Sequence, residues 1–308
     1  MGFMSQATMP TTNATVGEPR KFVLDTDIGT DVDDLLALSM ALGSPELSIA
    51  AITTVYGDVE LRARIAAKAY GAANRLQPPI APGLSETLSG RAVWWPGHEG
   101  STIVDLHDQT YSSVASARDL LKQSAVVAAI GPLTNIADAV VQSGARIEQV
   151  VIMGGEFERG IVEHNIRCDS IAADVLFSSG IPVLAIGLEQ TERVGPGRDE
   201  LNRIGEAGPL GELVSNEMKR FWEFADQDYN VPHDPIAILA LARPDLFEIS
   251  AGVVTVHTRG ADEGRTDFVR DARGPHSIVT DMDVDAVARE ITDRILVAAS
   301  FHASTAQL

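Results

Sequence analysis

Short apolar runs alternate with longer stretches of helical period along most of the chain. Phe22-Val23-Leu24 reads as a buried strand, with Leu35 to Leu42 as the helix after it; Ile49 to Val55 and Leu61 to Asn74 repeat the pair. Further strands are predicted over Val126 to Ile130, Gln149 to Met153 and Pro182 to Ile186, each short, rich in β-branched residues and bounded by Gly, Pro or a helix. Helices are predicted over Ile136 to Gln142 and Ile171 to Ser178. Strands that are apolar throughout and separated by helices define an α/β fold: an open, mostly parallel, mixed sheet with helices on both faces and a Rossmann-like core. Ligands of such sheets bind beyond the carboxyl ends of the strands, so the residues just after each strand are the first place to look for chemistry.

The later part of the chain departs from this rhythm. Residues 195–230 are polar and helix-prone with Gly-Pro breaks, which predicts a helical insert. Ala251 to His257 and Gly260 to Arg270 predict a β-hairpin, and Val284 to Ala299 a terminal helix. Residues 1–20 have no apolar run and read as a flexible tail without the features of a secretory signal, ahead of one domain over residues 21–308.

Composition narrows the function. The chain has 308 residues and a formal net charge of −19, which repels phosphate backbones and argues against nucleic acid as a partner. No stretch reaches the roughly 20 apolar residues of a membrane span, and a cytoplasmic protein is expected. Cys168 is the only cysteine, so neither a disulfide framework nor a cysteine-rich zinc site is available. It reads as a buried thiol, since no neighbouring residue suggests thiolate activation.

The most informative segment follows the first strand. Asp25-Thr26-Asp27-Ile28-Gly29-Thr30-Asp31-Val32-Asp33-Asp34 places five aspartates in ten residues. Clustered carboxylates repel one another and are costly to bury, and a hard cation relieves that cost. Ca²⁺, which takes about six to eight oxygen ligands, suits such a loop. An EF-hand is excluded because its required Gly and Glu positions hold Thr30 and Leu36. The aspartyl-phosphate hydrolase pattern fails at one residue, Gly29, which leaves a metal-dependent phosphohydrolase as a minor alternative.

Asp25 to Asp34 followed by Leu35-Leu36-Ala37-Leu38 resembles the opening signature of the inosine-uridine-preferring nucleoside hydrolases. Further blocks resemble the family in the same order: Tyr56-Gly57-Asp58, Ile130-Gly131-Pro132-Leu133-Thr134-Asn135, Glu163-His164-Asn165 and His233-Asp234-Pro235. The resemblance implies the nucleoside hydrolase fold and calcium-dependent hydrolysis of the N-glycosidic bond of ribonucleosides. It implies a Ca²⁺ held by Asp27, Asp34, Asp234 and the backbone carbonyl of Ile130. Asp27 would be the general base and His233 the proton donor to the leaving base. Asp33, Asp58, Glu163, Asn165 and Asp234 would contact the sugar, and Asp169 matches a position in the family's next segment. Phe221, Trp222 and Tyr229, in the predicted insert, are candidates for a lid over the base. A homo-oligomer, dimer or tetramer, is also implied.

Three positions depart from the family pattern. Asp58 stands where Asn is usual, and Pro96 falls where a His is usual, with His98 as a substitute able to reach the pocket. Phe157 occupies the place of an Asn that grips the 5′-hydroxyl, so the substrate is expected to differ there or activity on common nucleosides to be weak. Trp94 and Trp95 are open to two roles, stacking on a base or packing. These changes also motivate a different reading, a calcium-bound protein that binds ribosides without cleaving them.

Overall fold

The computed structural model describes residues 18–195 and 198–300. The first strand, β1 (Arg20–Thr26), is followed by α1 (Asp33–Leu42), β2 (Leu47–Thr54), α2 (Val59–Ala72), β3 (Ile80–Pro82) and α3 (Ala117–Lys122). Next come β4 (Val126–Ala129), α4 (Thr134–Val140), β5 (Gln149–Met153), α5 (His164–Cys168), α6 (Ser170–Ser178) and β6 (Val183–Ile186). The chain continues through α7 (Leu188–Thr191), α8 (Arg198–Gly205), α9 (Pro209–Ala225) and α10 (His233–Ala242). It closes with β7 (Phe247–Val256), β8 (Thr266–Arg270), β9 (His276–Met282) and α11 (Val284–Ser300). The tail predicted ahead of the first strand lies outside the described residues up to residue 17, and β1 takes up Arg20, its last member.

Among the described residues, nine strands form one sheet in the order β3-β2-β1-β4-β5-β6-β9-β7-β8. The strands from β3 to β9 pair in parallel, whereas β7 is antiparallel to both β9 and β8. The mixed α/β sheet predicted from the sequence is therefore the fold. Alternate residues of a strand point to opposite faces, and here both faces are buried. Phe22 and Leu24 of β1 join one apolar cluster with α1, α2, α9, α10 and α11, while Val23 joins a second with α3, α4 and α6. Two covered faces explain why the strands are continuously apolar.

Differences from the sequence expectation have local causes. β3 has three residues, the last of them Pro82, too short to stand out, and β9 carries His276, Ser277, Thr280 and Asp281 among its apolar positions. The predicted insert does hold two helices. α9, however, buries Leu210, Leu213, Val214 and Met218 and so contributes to the core. No helix among the described residues is long and apolar enough to cross a membrane.

The strand order 3-2-1-4-5-6 reverses between β1 and β4, because the chain leaves β1 toward one side and returns on the other. The crevice beyond the carboxyl ends of these two strands is where such sheets bind ligands. The acidic loop leaves β1 at that point.

Candidate active site

The loop of residues 27–32 carries its aspartates into the crevice and then enters α1, whose first turn holds Asp33 and Asp34. Its course is fixed from beneath by Arg62 of α2, a guanidinium that is 0% exposed. Arg62 donates to the backbone carbonyls of Tyr56 (2.7 Å), Ile28 (2.9 Å) and Asp27, and to Thr30 Oγ1 (3.1 Å). It also lies 4.9 Å from the ring centroid of Trp95, a cation–π distance. Planar donors that reach several acceptors at once are the property that distinguishes arginine from lysine. Thr26 donates its hydroxyl to Asp34 and accepts from the Ile28 amide, which closes the turn.

The facing wall comes from the ends of β4 and β5. Ile130 sits at the rim and Gly131 passes so close to Asp27 that a Cβ there would lie 2.5 Å from Asp27 Oδ1. Only glycine permits that approach. Glu163 caps α5, accepting from the amides of Asn165 (2.7 Å), Ile166 (3.0 Å) and Gly155 (3.1 Å). Asn165 donates through Nδ2 to the carbonyls of Ile130 (3.0 Å) and Met153 (3.1 Å), tying α5 to both strand ends. His233 and Asp234 open α10 and close the remaining side. Together these groups line a cavity of about 340 Å³, within the range of small-molecule sites.

Burial dominates the electrostatics. It pushes the Asp27 carboxyl up to about 6, opposed mainly by the nearby Arg62 charge. Asp33, Asp34 and Asp234 are driven well above the ordinary carboxylate range, first by burial and then by one another's charges. Asp25, beneath the loop, is raised to about 7 by burial although Thr53 and Asn135 bond to it. So many destabilised carboxylates call for a counter-charge. Oxygens of Asp31, Asp33 and Asp34 lie within 4.8 Å of one another, close enough to share an ion. Asp27, Asp234 and the Ile130 residue line the same cavity. Carboxylates and a carbonyl, with no thiolate, fit a hard divalent cation.

His233 is held by Thr191, whose Oγ1 lies 2.7 Å from Nδ1. That hydroxyl donates to the Leu188 carbonyl at 3.2 Å, so it accepts from Nδ1–H. In a neutral ring Nε2 is then unprotonated. Burial lowers the basicity of this imidazole.

Of the residues expected at the site, Asp27, Asp33, Asp34, Ile130, Glu163, Asn165, His233 and Asp234 are brought together. Three are not. Asp58 turns outward to cap α2, accepting from the Leu61 amide at 2.9 Å, so its short side chain is committed to the helix. Trp222 bonds through Nε1 to Asn230 Oδ1 and lies outside the cavity lining, and Tyr229 is 60% exposed. Their neighbour Phe221 is the aromatic of α9 that reaches the cavity. Asp169 is structural, accepting from the Leu88 and Ser89 amides and the Thr134 hydroxyl. His98 stands behind the wall, with Nε2 2.5 Å from the Thr30 carbonyl and its ring against Phe224. Phe157 packs against Phe268 away from the cavity.

The Trp pair divides. Trp95 packs on Arg62 and Gly57, while Trp94 lines the cavity with its amide bonded to the Tyr56 hydroxyl at 2.8 Å. Tyr56 itself holds a left-handed φ of 69°, an uncommon conformation for a non-glycine residue. His164 and Arg167 also line the cavity and were not foreseen. The cue was available: Arg167 follows Glu163 by four residues, one helical turn, and so shares its face. His164 Nε2 lies 3.4 Å from Cys168 Sγ, and its basicity is pushed up to about 9 by that contact and by the charges of Glu163 and Asp27. Cys168 is buried and free.

Comparison with known proteins agrees with this geometry. Residues 22–289 match the family described as inosine-uridine preferring nucleoside hydrolase. Uridine nucleosidase 1 of Arabidopsis thaliana is 34% identical over 278 residues, covering 82% of each chain. A non-specific ribonucleoside hydrolase of Salmonella paratyphi A is 31% identical, covering 88% of this chain and 96% of the relative. Among solved structures, a purine-preferring ribonucleoside hydrolase from Gardnerella vaginalis superposes with a TM-score of 0.76 at 25% identity, over 91% of this chain and 99% of the other. The chain belongs to the inosine-uridine preferring nucleoside hydrolase family and is an N-ribohydrolase enzyme.

Proposed function

We propose that the protein hydrolyses the N-glycosidic bond of ribonucleosides with the help of calcium, releasing free base and ribose. The observation that carries this is one cavity holding both the buried carboxylates of the β1 loop and the Glu163–Asn165 pair facing them. Relatives named for uridine, for purines and for ribonucleosides in general share the riboside as their common chemistry. Asp27, Asp34, Asp234 and the Ile130 carbonyl would hold the Ca²⁺, and oxygens of Asp31 and Asp33 lie within 4.8 Å of one on Asp34; the ion would lower the pKa of a water and supply positive charge to the sugar hydroxyls.

The remaining chemistry belongs to the chain. Asp27 takes a proton from the attacking water. The water oxygen bonds to C1′ as the C1′–N bond breaks and its electron pair leaves with the base. Asp33, Glu163 and Asn165 orient the ribose, and the fixed negative charges around it favour the positive charge that develops on the sugar. His233 donates a proton from Nε2 to the departing base when the imidazole is protonated. The experiment is to follow the anomeric proton of purine and pyrimidine ribosides by NMR in calcium. Conversion to free ribose supports cleavage, whereas bound but unaltered riboside would restore the non-catalytic reading.

A further inference from the structure

The cavity does not end at the sugar-facing carboxylates. Beyond Trp94 and His164 it adjoins a second hollow of about 610 Å³, and Tyr56, Trp94, His164 and Arg167 line both. The two spaces have opposite chemistry. The first is ringed by aspartates and Glu163. The second contains no Asp or Glu in its lining and carries Arg91, Arg167 and His164. In a chain with a net charge of −19, a carboxylate-free basic recess beside an acidic site is contrary to the composition.

These basic groups are unequally committed. Arg91 pairs with Glu263 at 3.2 Å, although its buried Nε has no partner. His164 is engaged with Cys168. Arg167 is exposed, and among the described residues no carboxylate pairs with it, although it lies only one helical turn from Glu163. Its backbone is fixed, because Gly264 packs so closely that a Cβ there would stand 3.0 Å from Arg167 Cα. A free guanidinium on an anchored helix at the edge of a substrate cavity is suited to a bidentate oxyanion.

We propose that this site takes ribosides carrying an anionic substituent, with Arg167 as the anion's main partner and a nucleoside 5′-monophosphate as the simplest such substrate. The inference rests on the riboside hydrolase reading above. With the 2′,3′-diol turned to the carboxylate end, only the 5′-carbon and the base are left to reach the basic recess. A phosphate on the first or a carboxylate on the second presents the same oxyanion. For the phosphate case the reaction balances without another reactant. Water adds its oxygen to C1′, the C1′–N bond breaks toward the base, the water's protons go to the new hydroxyl and the base, and ribose 5-phosphate leaves with its ester intact.

The test compares kcat/KM for uridine, uridine 5′-monophosphate and orotidine on the calcium-loaded wild-type protein and on Arg167→Gln and Arg167→Lys. Loss of a charge-assisted bond in the transition state is about 10- to 100-fold. The expected result is a preference for an anionic riboside over uridine that falls by that factor in Arg167→Gln and is partly kept in Arg167→Lys. Preference for the monophosphate places the anion at the 5′-carbon, and preference for orotidine places it on the base. Cleavage of uridine with no preference for either anionic riboside, or a preference unchanged in Arg167→Gln, overturns the inference and leaves riboside hydrolysis standing. Cleavage of none of the three, and of neither inosine nor inosine 5′-monophosphate run beside them, overturns both.

Discussion

Replacing Arg62 with methionine keeps an unbranched side chain in the space under the acidic loop and removes the donors that hold it. Three buried carbonyls, those of Asp27, Ile28 and Tyr56, lose their Arg62 donor, while the Thr30 hydroxyl loses one bond and keeps the one it donates to Glu99. An unsatisfied buried acceptor costs roughly 1–3 kcal/mol. Relaxation of the loop and entry of water recover part of the sum, leaving a loss of about 3–5 kcal/mol. At roughly 2–4 °C per kcal/mol for a large domain, the melting temperature falls by about 6–20 °C. The guanidinium charge also opposes the upward shifts of Asp27 and Asp34. Its removal therefore hurts more when no cation is present to take over that role. Differential scanning fluorimetry of wild type, Arg62→Met and Arg62→Lys in calcium and in EDTA measures both effects. The lysine variant keeps the charge without the fork and should fall between the other two. A methionine variant melting within about 2 °C of wild type in both buffers would refute the assignment of Arg62 as the brace of the loop.

Three further outcomes are expected. Asp25 and Asp27 are raised to about 7 and about 6 by burial, so without a cation the folded chain retains protons that the unfolded chain releases near pH 4. That contribution to stability is lost as pH rises through this window. The gain in melting temperature on adding saturating calcium should accordingly grow from pH 5 to pH 8, and a flat or shrinking gain contradicts it. His233→Ala should slow release of bases that need a proton by about 100-fold or more while sparing a nitrophenyl riboside, whose leaving group needs none; equal losses on both exclude proton donation. Since burial lowers this imidazole below 6.5, the difference between wild type and variant should fade as pH rises above that value. Asp58→Ala should cost about 1 kcal/mol of stability as a lost helix cap and change kcat/KM on uridine less than twofold, whereas a tenfold loss would return Asp58 to the sugar.

Most of the sheet was legible because its strands are buried on both faces, which writes them as continuous apolar runs such as Val126 to Ala129. β9 was not, since polar residues face out along a strand near the antiparallel edge. The acidic loop was legible for a chemical reason: five aspartates that close are hard to explain in a folded chain without a cation. What the chain order could not reveal was direction. Asp58 sits next to a strand end like its neighbours, but a helix begins immediately after it, and its carboxylate serves that helix. Trp222 and Phe221 are adjacent, and only the rotation of α9 decides which of them meets the cavity. Arg62 was invisible because a lone arginine on a helix is ordinarily a surface residue.

Riboside cleavage in this protein is proposed to need the buried carboxylates of the β1 loop and a hard cation together. The direct measurement strips the protein with EDTA, restores calcium stepwise and follows free ribose from a riboside panel, with Asp27→Ala carried through the same titration. Ribose release that rises with calcium in the wild type and is lost in Asp27→Ala is the predicted result. Undiminished release after stripping, or equal release from Asp27→Ala, would contradict it.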